Sequence, residues 1–156
     1  MRIVPAVRTH VSGLVELMTG SPLLRRYGVT SARARASLTD ALEDNDVVLI
    51  ALEGGGETVG LAWVITTRAL DRAAYLRLLL VAEGRQSHGV GAALLAAAER
   101  AARKAGSRHL VLLVTTANRR ARAFYARAGY QHVGNMPGFV HPAIDESLYV
   151  KSLRAR

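Results

Sequence analysis

The run Gln86-Ser87-His88-Gly89-Val90-Gly91 lies between an apolar stretch and a long alanine-rich one. Small residues and glycines in that setting predict a turn that feeds the N-terminus of a helix. Such an N-terminus leaves four backbone N–H groups without partners and carries a partial positive charge. A phosphate satisfies both, and glycines let the backbone come close to it. The chemistry implied is therefore the holding of a phosphorylated ligand. Two common phosphate motifs do not fit. Gly84 and Gly89 have the spacing of a P-loop, but Val90 and Gly91 stand where it needs Lys and Ser/Thr. Gly89 and Gly91 begin a dinucleotide fingerprint, but Leu94 occupies its third glycine position.

A second chemistry-bearing segment follows. In "NRRARAFYARAGY", Asn118, Ala121, Phe124, Tyr125, Gly129 and Tyr130 fall at the spacing N-x-x-A-x-x-F-Y-x-x-x-G-F/Y. With the Q/R-x-x-G-x-G/A pattern of Gln86 to Gly91, it resembles the GCN5-related N-acetyltransferase (GNAT) superfamily over Ala73 to Tyr130. The resemblance implies transfer of an acetyl group from acetyl-coenzyme A to an amine. It implies that Gln86, Ser87, His88, Gly89, Val90, Gly91 and Ala92 cradle the cofactor pyrophosphate, and that Asn118, Ala121 and Tyr125 contact the cofactor from the second helix. It also implies that the strand before the turn splits from the next one and admits the pantetheine arm, with Leu79, Leu80 and Val81 as backbone partners. A main-chain N–H near Leu79 or Leu80 would stabilise the oxyanion. Tyr125 is implied as the acid that protonates the leaving thiolate. No metal is implied.

The acceptor side is less determined. An alkylamine has a pKa of about 10.4, so something must take its proton; Glu53, Glu83, His132, His141, Glu146 and a chain of waters are the alternatives. The segment "SPLLRRYGVT" lies where the family varies its acceptor-binding region, so Leu23, Leu24 and Tyr27 either line that pocket or cover the core, and Arg25 and Arg26 could attract anions. Three positions depart from the family pattern, of which Glu83, in place of a common proline, has little consequence. Ser87 replaces a frequent glycine, which a negative φ would permit. Arg77 stands where many relatives carry an acid, which suits an acceptor with a carboxylate beside its amine, such as an amino acid. Strand alternation predicts Tyr75, Arg77 and Leu79 on one face; Arg77 could equally pack against the acids of the second helix. Other activities compatible with the same motifs are acetylation of protein N-termini or lysines and non-catalytic sensing of acyl-CoA. Dimers are common in the family, and the two C-terminal strands could pair to form a homodimer.

These residues need a scaffold, and the rest of the chain supplies one. The 156 residues are half hydrophobic, which predicts a single domain over 1–156 with a real core. There is no cysteine, which excludes disulfides, thiolate metal sites and cysteine nucleophiles. No apolar run reaches the roughly 18 residues of a membrane span, and the first ten residues lack the pattern of a signal peptide; a cytoplasmic protein is expected. The net charge is +9. It concentrates between Arg85 and Arg127, where nine Arg/Lys residues accompany one acid, Glu99. That points to an anion. Nucleic acid is disfavoured by the absence of exposed aromatics between the basic residues and of any reading motif.

Hydrophobic periodicity predicts a strand at Val4–Arg8, then a helix through Val11, Leu14, Val15 and Met18 capped by Thr9. A second helix capped by Ser31 carries Ala34, Leu38, Ala41 and Leu42. A hairpin is expected about Gly54–Glu57 and a fourth strand over Ala74–Ala82. The alanine-rich helix runs from Val90 to about Ala105, a strand covers Arg108–Thr116, and the second motif forms a helix stopped by Gly129. Two strands close the chain, separated by a loop holding Pro137 and Pro142. The expected fold is α/β, of the GNAT-like acyl-CoA N-acyltransferase type. It has a mixed sheet of six to seven strands, helices on both faces and the order β-α-α-β-β-β-α-β-α-β-β.

Overall fold

The structure, a computed structural model, describes residues 1–154. Seven strands form one sheet: β1 (Arg2–Pro5), β2 (Val47–Glu53), β3 (Glu57–Thr66), β4 (Ala74–Val81), β5 (His109–Thr115), β6 (Gln131–His141) and β7 (Ile144–Ser152). The helices are α1 (Val11–Gly20), α2 (Pro22–Arg26), α3 (Ser31–Glu43), α4 (Ala69–Arg72), α5 (Val90–Lys104) and α6 (Arg119–Arg127). The sheet order is β1-β2-β3-β4-β5-β7-β6. All pairings are antiparallel except β4 with β5.

Alternation within the strands builds two cores, one on each face. Val48, Ile50, Leu52, Leu61 and Trp63 meet Leu14, Val15 and Met18 of α1 and Ala34, Leu38 and Ala41 of α3. Leu49, Ala51, Ala62, Val64, Leu76, Leu110, Leu112 and Val114 meet Val90, Leu94, Leu95 and Ala98 of α5, with Tyr125 of α6. Gly60 lets α5 lie close on β3: a Cβ there would stand 2.7 Å from Leu94 Cδ1 and 3.2 Å from the Leu80 carbonyl oxygen.

Several local features differ from the sequence reading. Thr30, not Ser31, caps α3, its hydroxyl accepting from Arg33 N–H at 3.3 Å. A 3-10 turn at Arg8–His10 precedes α1 in place of a Thr9 cap, and His10 Nδ1 accepts from Val7 N–H. The expected loop through Pro137 is strand. β6 is the sheet's edge, and an edge strand tolerates proline because its outward N–H has no partner to lose. The short α4 contains left-handed residues, with φ between 49° and 63° at Leu70, Asp71 and Arg72.

Two irregularities in β4 shape the functional region. Parallel pairing with β5 covers only Ala74–Leu76 against Leu110–Leu112. Beyond Leu76 the strands separate, which leaves the β5-facing backbone groups of Arg77 to Val81 without a strand partner. On the other side, Val64 pairs with Leu76 but Trp63 pairs with Leu78, so Arg77 is a β-bulge. The extra residue reverses the alternation: Leu76, Leu79 and Val81 face α5, while Leu78 and Leu80 face α1 and α3. The expectation that Tyr75, Arg77 and Leu79 share a face is therefore corrected.

Candidate active site

A cleft of about 1070 Å³ runs along the separated part of β4. Its floor is Leu79, Leu80 and Val81, and one end is the turn of Gln86, Ser87 and Gly89 with Gly91 and Ala92 of α5. Asn118, Arg120, Ala121, Phe124, Tyr125 and Arg127 of the α6 region form one wall. Glu16, Leu17, Ser21 and Leu23 of the α1–α2 region form the other.

The turn is built for an anion. Gly89 has φ 80°, a conformation glycine adopts without strain, and it starts α5 with no side-chain cap. The first intrahelical bond runs from Ala93 N–H to the Gly89 carbonyl, at 3.0 Å. The N–H groups of Val90, Gly91 and Ala92 precede it, with neither helical nor capping partners. A Cβ on Gly91 would sit over Val81 and Phe124, both cleft residues, so glycine keeps the backbone open there. Val90 offers only its N–H, because its side chain is in the core. His88 turns away from the cleft, its Nδ1 meeting the Gln86 carbonyl at 2.7 Å.

Ser87 corrects a second expectation: its φ is +66°, not negative. A residue 33 positions away accounts for the tolerance. Arg120 donates to Ser87 Oγ at 2.8 Å and to Gln86 Oε1 at 2.9 Å, tying the turn to α6. Nothing in the motif spacing singled out Arg120. Other basic residues of the segment are engaged elsewhere. Arg85 pairs with Glu53 at 2.9 Å, Arg103 with Glu99, Arg108 with Asp71, and Arg122 bonds Tyr149. Arg120 and Arg127 are the segment's basic residues that line the cleft.

Asn118 caps α6, its Oδ1 accepting from Ala121 N–H at 3.1 Å. The cap fixes the start of the helix and hence the angle at which Tyr125 enters the cleft. Tyr125 is 8% exposed and packs edge-on between Phe124 and Tyr130, with ring centroids 5.1 and 5.6 Å away. Burial pushes its phenol well above the ordinary value of 10. Among the described residues its hydroxyl has no hydrogen-bond partner, yet no sealed-off side-chain oxygen is left unsatisfied. The hydroxyl therefore opens into the cleft. Tyr130 is anchored by Glu99, which also binds Lys151 at 2.8 Å.

On the other face of the sheet, Tyr27 at the end of α2 donates to Glu146 Oε1 and shares a 2.7 Å hydrogen bond with Thr115 Oγ1. Burial and the Glu146 bond push the Tyr27 phenol up to about 12. Glu146, past both Pro137 and Pro142, is only 2% exposed. Leu24 turns into the α1–α3 core while Leu23 lines the cleft, as one step around a helix requires. Arg77 lies with its guanidinium 4.7 Å from the centre of the Trp63 ring, rather than against acids of the helices. Trp63 is held in turn by Asp46, which accepts from Nε1 at 2.8 Å. Of the candidate bases, Glu53 is held by Arg85, His132 by Asn135, and Glu83 lies at the cleft rim. His141 stands edge-on to Tyr27, with ring centroids 6.4 Å apart. Among the described residues no cluster of His, Asp or Glu could hold a metal ion, and no helix is long and apolar enough to cross a membrane.

Known proteins share this architecture. An aminoglycoside 6'-N-acetyltransferase in complex with coenzyme A superposes with a TM-score of 0.84 at 16% identity, covering 100% of this chain and 99% of its own. The ribosomal-protein-S18-alanine N-acetyltransferase of Escherichia coli gives 0.81 at 17% identity, over 99% and 95%. An aminoglycoside 6'-acetyltransferase type Ii gives 0.83 at 19%, over 100% and 99%. At these identities the likeness is one of fold. No curated protein matches the chain in sequence. The sequence model of the acetyltransferase (GNAT) family matches residues 17–130, which include the turn, Tyr125 and most of the cleft lining. The chain belongs to the GNAT family of acetyltransferases.

Proposed function

We propose that the protein is an acetyl-CoA-dependent N-acetyltransferase that acylates the primary amine of a small molecule by direct attack, as a single domain in the cytoplasm. The observation that carries this reading is one continuous cleft. It joins an uncapped, glycine-opened helix N-terminus to an unpaired strand edge and ends at a buried phenol with a free hydroxyl. The pyrophosphate would accept from the N–H groups of Val90, Gly91 and Ala92, in the field of Arg120 and Arg127. The pantetheine amides would pair with the free β5-facing edge of Arg77 to Val81, as an added strand would. A main-chain N–H at Leu79 or Leu80 would then meet the thioester oxygen.

Tyr125 is proposed as the donor to the leaving sulfur. In water a phenol, at about 10, is a slightly weaker acid than a thiol, at about 8.5. Burial penalises thiolate and phenolate alike, so the raised Tyr125 does not lose its match to a sulfur in the same dry cleft. The same burial keeps the phenol protonated, as an acid requires.

Arg77 supports an acceptor with a carboxylate. It is exposed, it has no acidic partner among the described residues, and the Trp63 ring holds it in place. An amino acid or a derivative of one is the acceptor this favours. Acetyl-CoA thiol release measured against amino acids, polyamines, aminoglycosides and peptides tests the reading. Amino acids or their derivatives should give the highest kcat/KM. Polyamines exceeding amino acids would overturn the carboxylate assignment. Tight acetyl-CoA binding without release for any acceptor would instead mark an acyl-CoA sensor.

A further inference from the structure

We infer that Glu146 receives the acceptor: its carboxylate binds the substrate ammonium on the α1–α3 side of the sheet and takes its proton. This rests on the acetyltransferase reading above. Strand register puts Glu146 at the level of the thioester site. Glu146 pairs with Thr115 across β7 and β5. Thr115 lies three residues past Leu112, the last β5 residue paired with β4, and Leu79 lies three residues past Leu76 on the other side. Both are thus about 10 Å along the gap, so Glu146 stands one strand beyond the point that Leu79 faces. Tyr125 reaches that gap from α6, on the opposite face. The sheet opening therefore has a phenol on one side and a carboxylate on the other. Acyl transfer needs a base at the entering nitrogen and an acid at the departing sulfur, and these two groups can serve as that pair.

Hydrogen bonds give the carboxylate a direction. Tyr27 donates to Glu146 Oε1, so the proton between Tyr27 and Thr115 comes from Thr115. Oε1 is thereby occupied by a fixed donor. Among the described residues Oε2 has no partner and is not sealed off, since no buried side-chain oxygen lacks a bond. Among the described residues no Lys, Arg or His pairs with Glu146, unlike the other buried carboxylate, Glu99, which has Lys151 and Arg103. A buried carboxylate without a cation is costly unless a ligand supplies one. The titratable groups around Glu146 are Tyr27 from α2, Tyr75 from β4 and its neighbour Asp145. His141, from the end of β6, lies beside Tyr27, and Arg26 and Arg77 stand one residue further out, acting on Tyr27 and Tyr75. Burial raises Glu146 above the usual carboxylate value, the Tyr27 bond opposes this, and Asp145 adds to it.

The step balances. Glu146 takes one proton from R–NH3+. The amine attacks the thioester carbon, the C–N bond forms and the C–S bond breaks. The thiolate takes the Tyr125 proton, the phenolate recovers one from the amide nitrogen as it loses its charge, and Glu146 releases its proton to solvent.

The test is kcat/KM against pH for the full chain with its best acceptor. The wild type should show an acid limb. Glu146→Gln should lose about 100-fold or more in kcat/KM and lose the limb, while acetyl-CoA still raises its thermal midpoint as in the wild type. Tyr27→Phe should move the limb to higher pH, because the bond that favours the charged carboxylate is gone. This variant decides the matter alone if Glu146→Gln does not fold. A Glu146→Gln enzyme within a few-fold of wild type, or a Tyr27→Phe limb that stays or moves down, overturns the inference and leaves acetyl transfer standing. A wild type silent toward every amine overturns both.

Discussion

Removing one oxygen from Tyr125 separates its two roles. The ring fills the core between Phe124 and Tyr130, and a phenylalanine keeps both edge contacts. The hydroxyl has no protein partner among the described residues, so Tyr125→Phe strands no buried donor or acceptor. Stability should change by less than about 0.5 kcal/mol. Turnover should not be spared. A positioned acid contributes about 10²–10⁴-fold, or about 3–5 kcal/mol at 1.36 kcal/mol per decade. Any ground-state hydrogen bond from the phenol to the cofactor is worth about 0.5–1.5 kcal/mol, at most about tenfold in affinity. The variant should therefore lose at least tenfold more in kcat than in acetyl-CoA affinity. Thiol release at saturating acetyl-CoA gives the first quantity and titration calorimetry the second. A variant with kcat within threefold of wild type would remove Tyr125 from the chemistry and leave it a packing residue.

Arg120→Ala removes two hydrogen bonds that hold the Gln86–Ser87 turn. At about 0.5–1.5 kcal/mol each, acetyl-CoA should bind about 5- to 160-fold more weakly by calorimetry, with kcat at saturation nearly unchanged. Gly60→Ala forces a methyl to within 2.7 Å of Leu94 Cδ1 and 3.2 Å of a backbone oxygen. Overpacking of this kind costs about 1–3 kcal/mol, and thermal unfolding should begin several degrees lower. Glu146→Gln should raise stability at neutral pH. A carboxylate whose folded pKa is raised contributes stability that is complete below its unfolded value and is lost as pH rises through the folded one. Glutamine keeps the neutral form at every pH, so its advantage in denaturant melts should vanish in acid, below the usual carboxylate range.

The sequence exposed what is local. The glycine turn, the alanine-rich helix and the helix stopped by Gly129 are written in contiguous residues, and each is found where the spacing put it. Features set by distant pairing were not legible. The separation of β4 from β5 was expected only through the family resemblance, because no local pattern records where parallel hydrogen bonding stops. The bulge at Arg77 inserts one residue into a clean alternation and so reversed the expected face of Leu79. Ser87 adopts a left-handed conformation because Arg120, on another helix, holds its hydroxyl. Nothing local marks Glu146, one of several candidate bases, as buried, because what covers it comes from other elements. The Tyr27–Glu146 contact joins residues 119 positions apart, which composition and spacing cannot bring together.

The central claim is that this cleft holds acetyl-CoA with its diphosphate on the α5 N-terminus and its thioester between the free edge of β4 and Tyr125. A crystal structure of the protein soaked with acetyl-CoA measures this directly. The account predicts phosphate oxygens about 2.7–3.2 Å from the backbone nitrogens of Val90, Gly91 and Ala92. It predicts the thioester sulfur within reach of the Tyr125 hydroxyl. A cofactor bound elsewhere, or one whose sulfur lies away from Tyr125 with the gap beyond Leu76 closed, would contradict it.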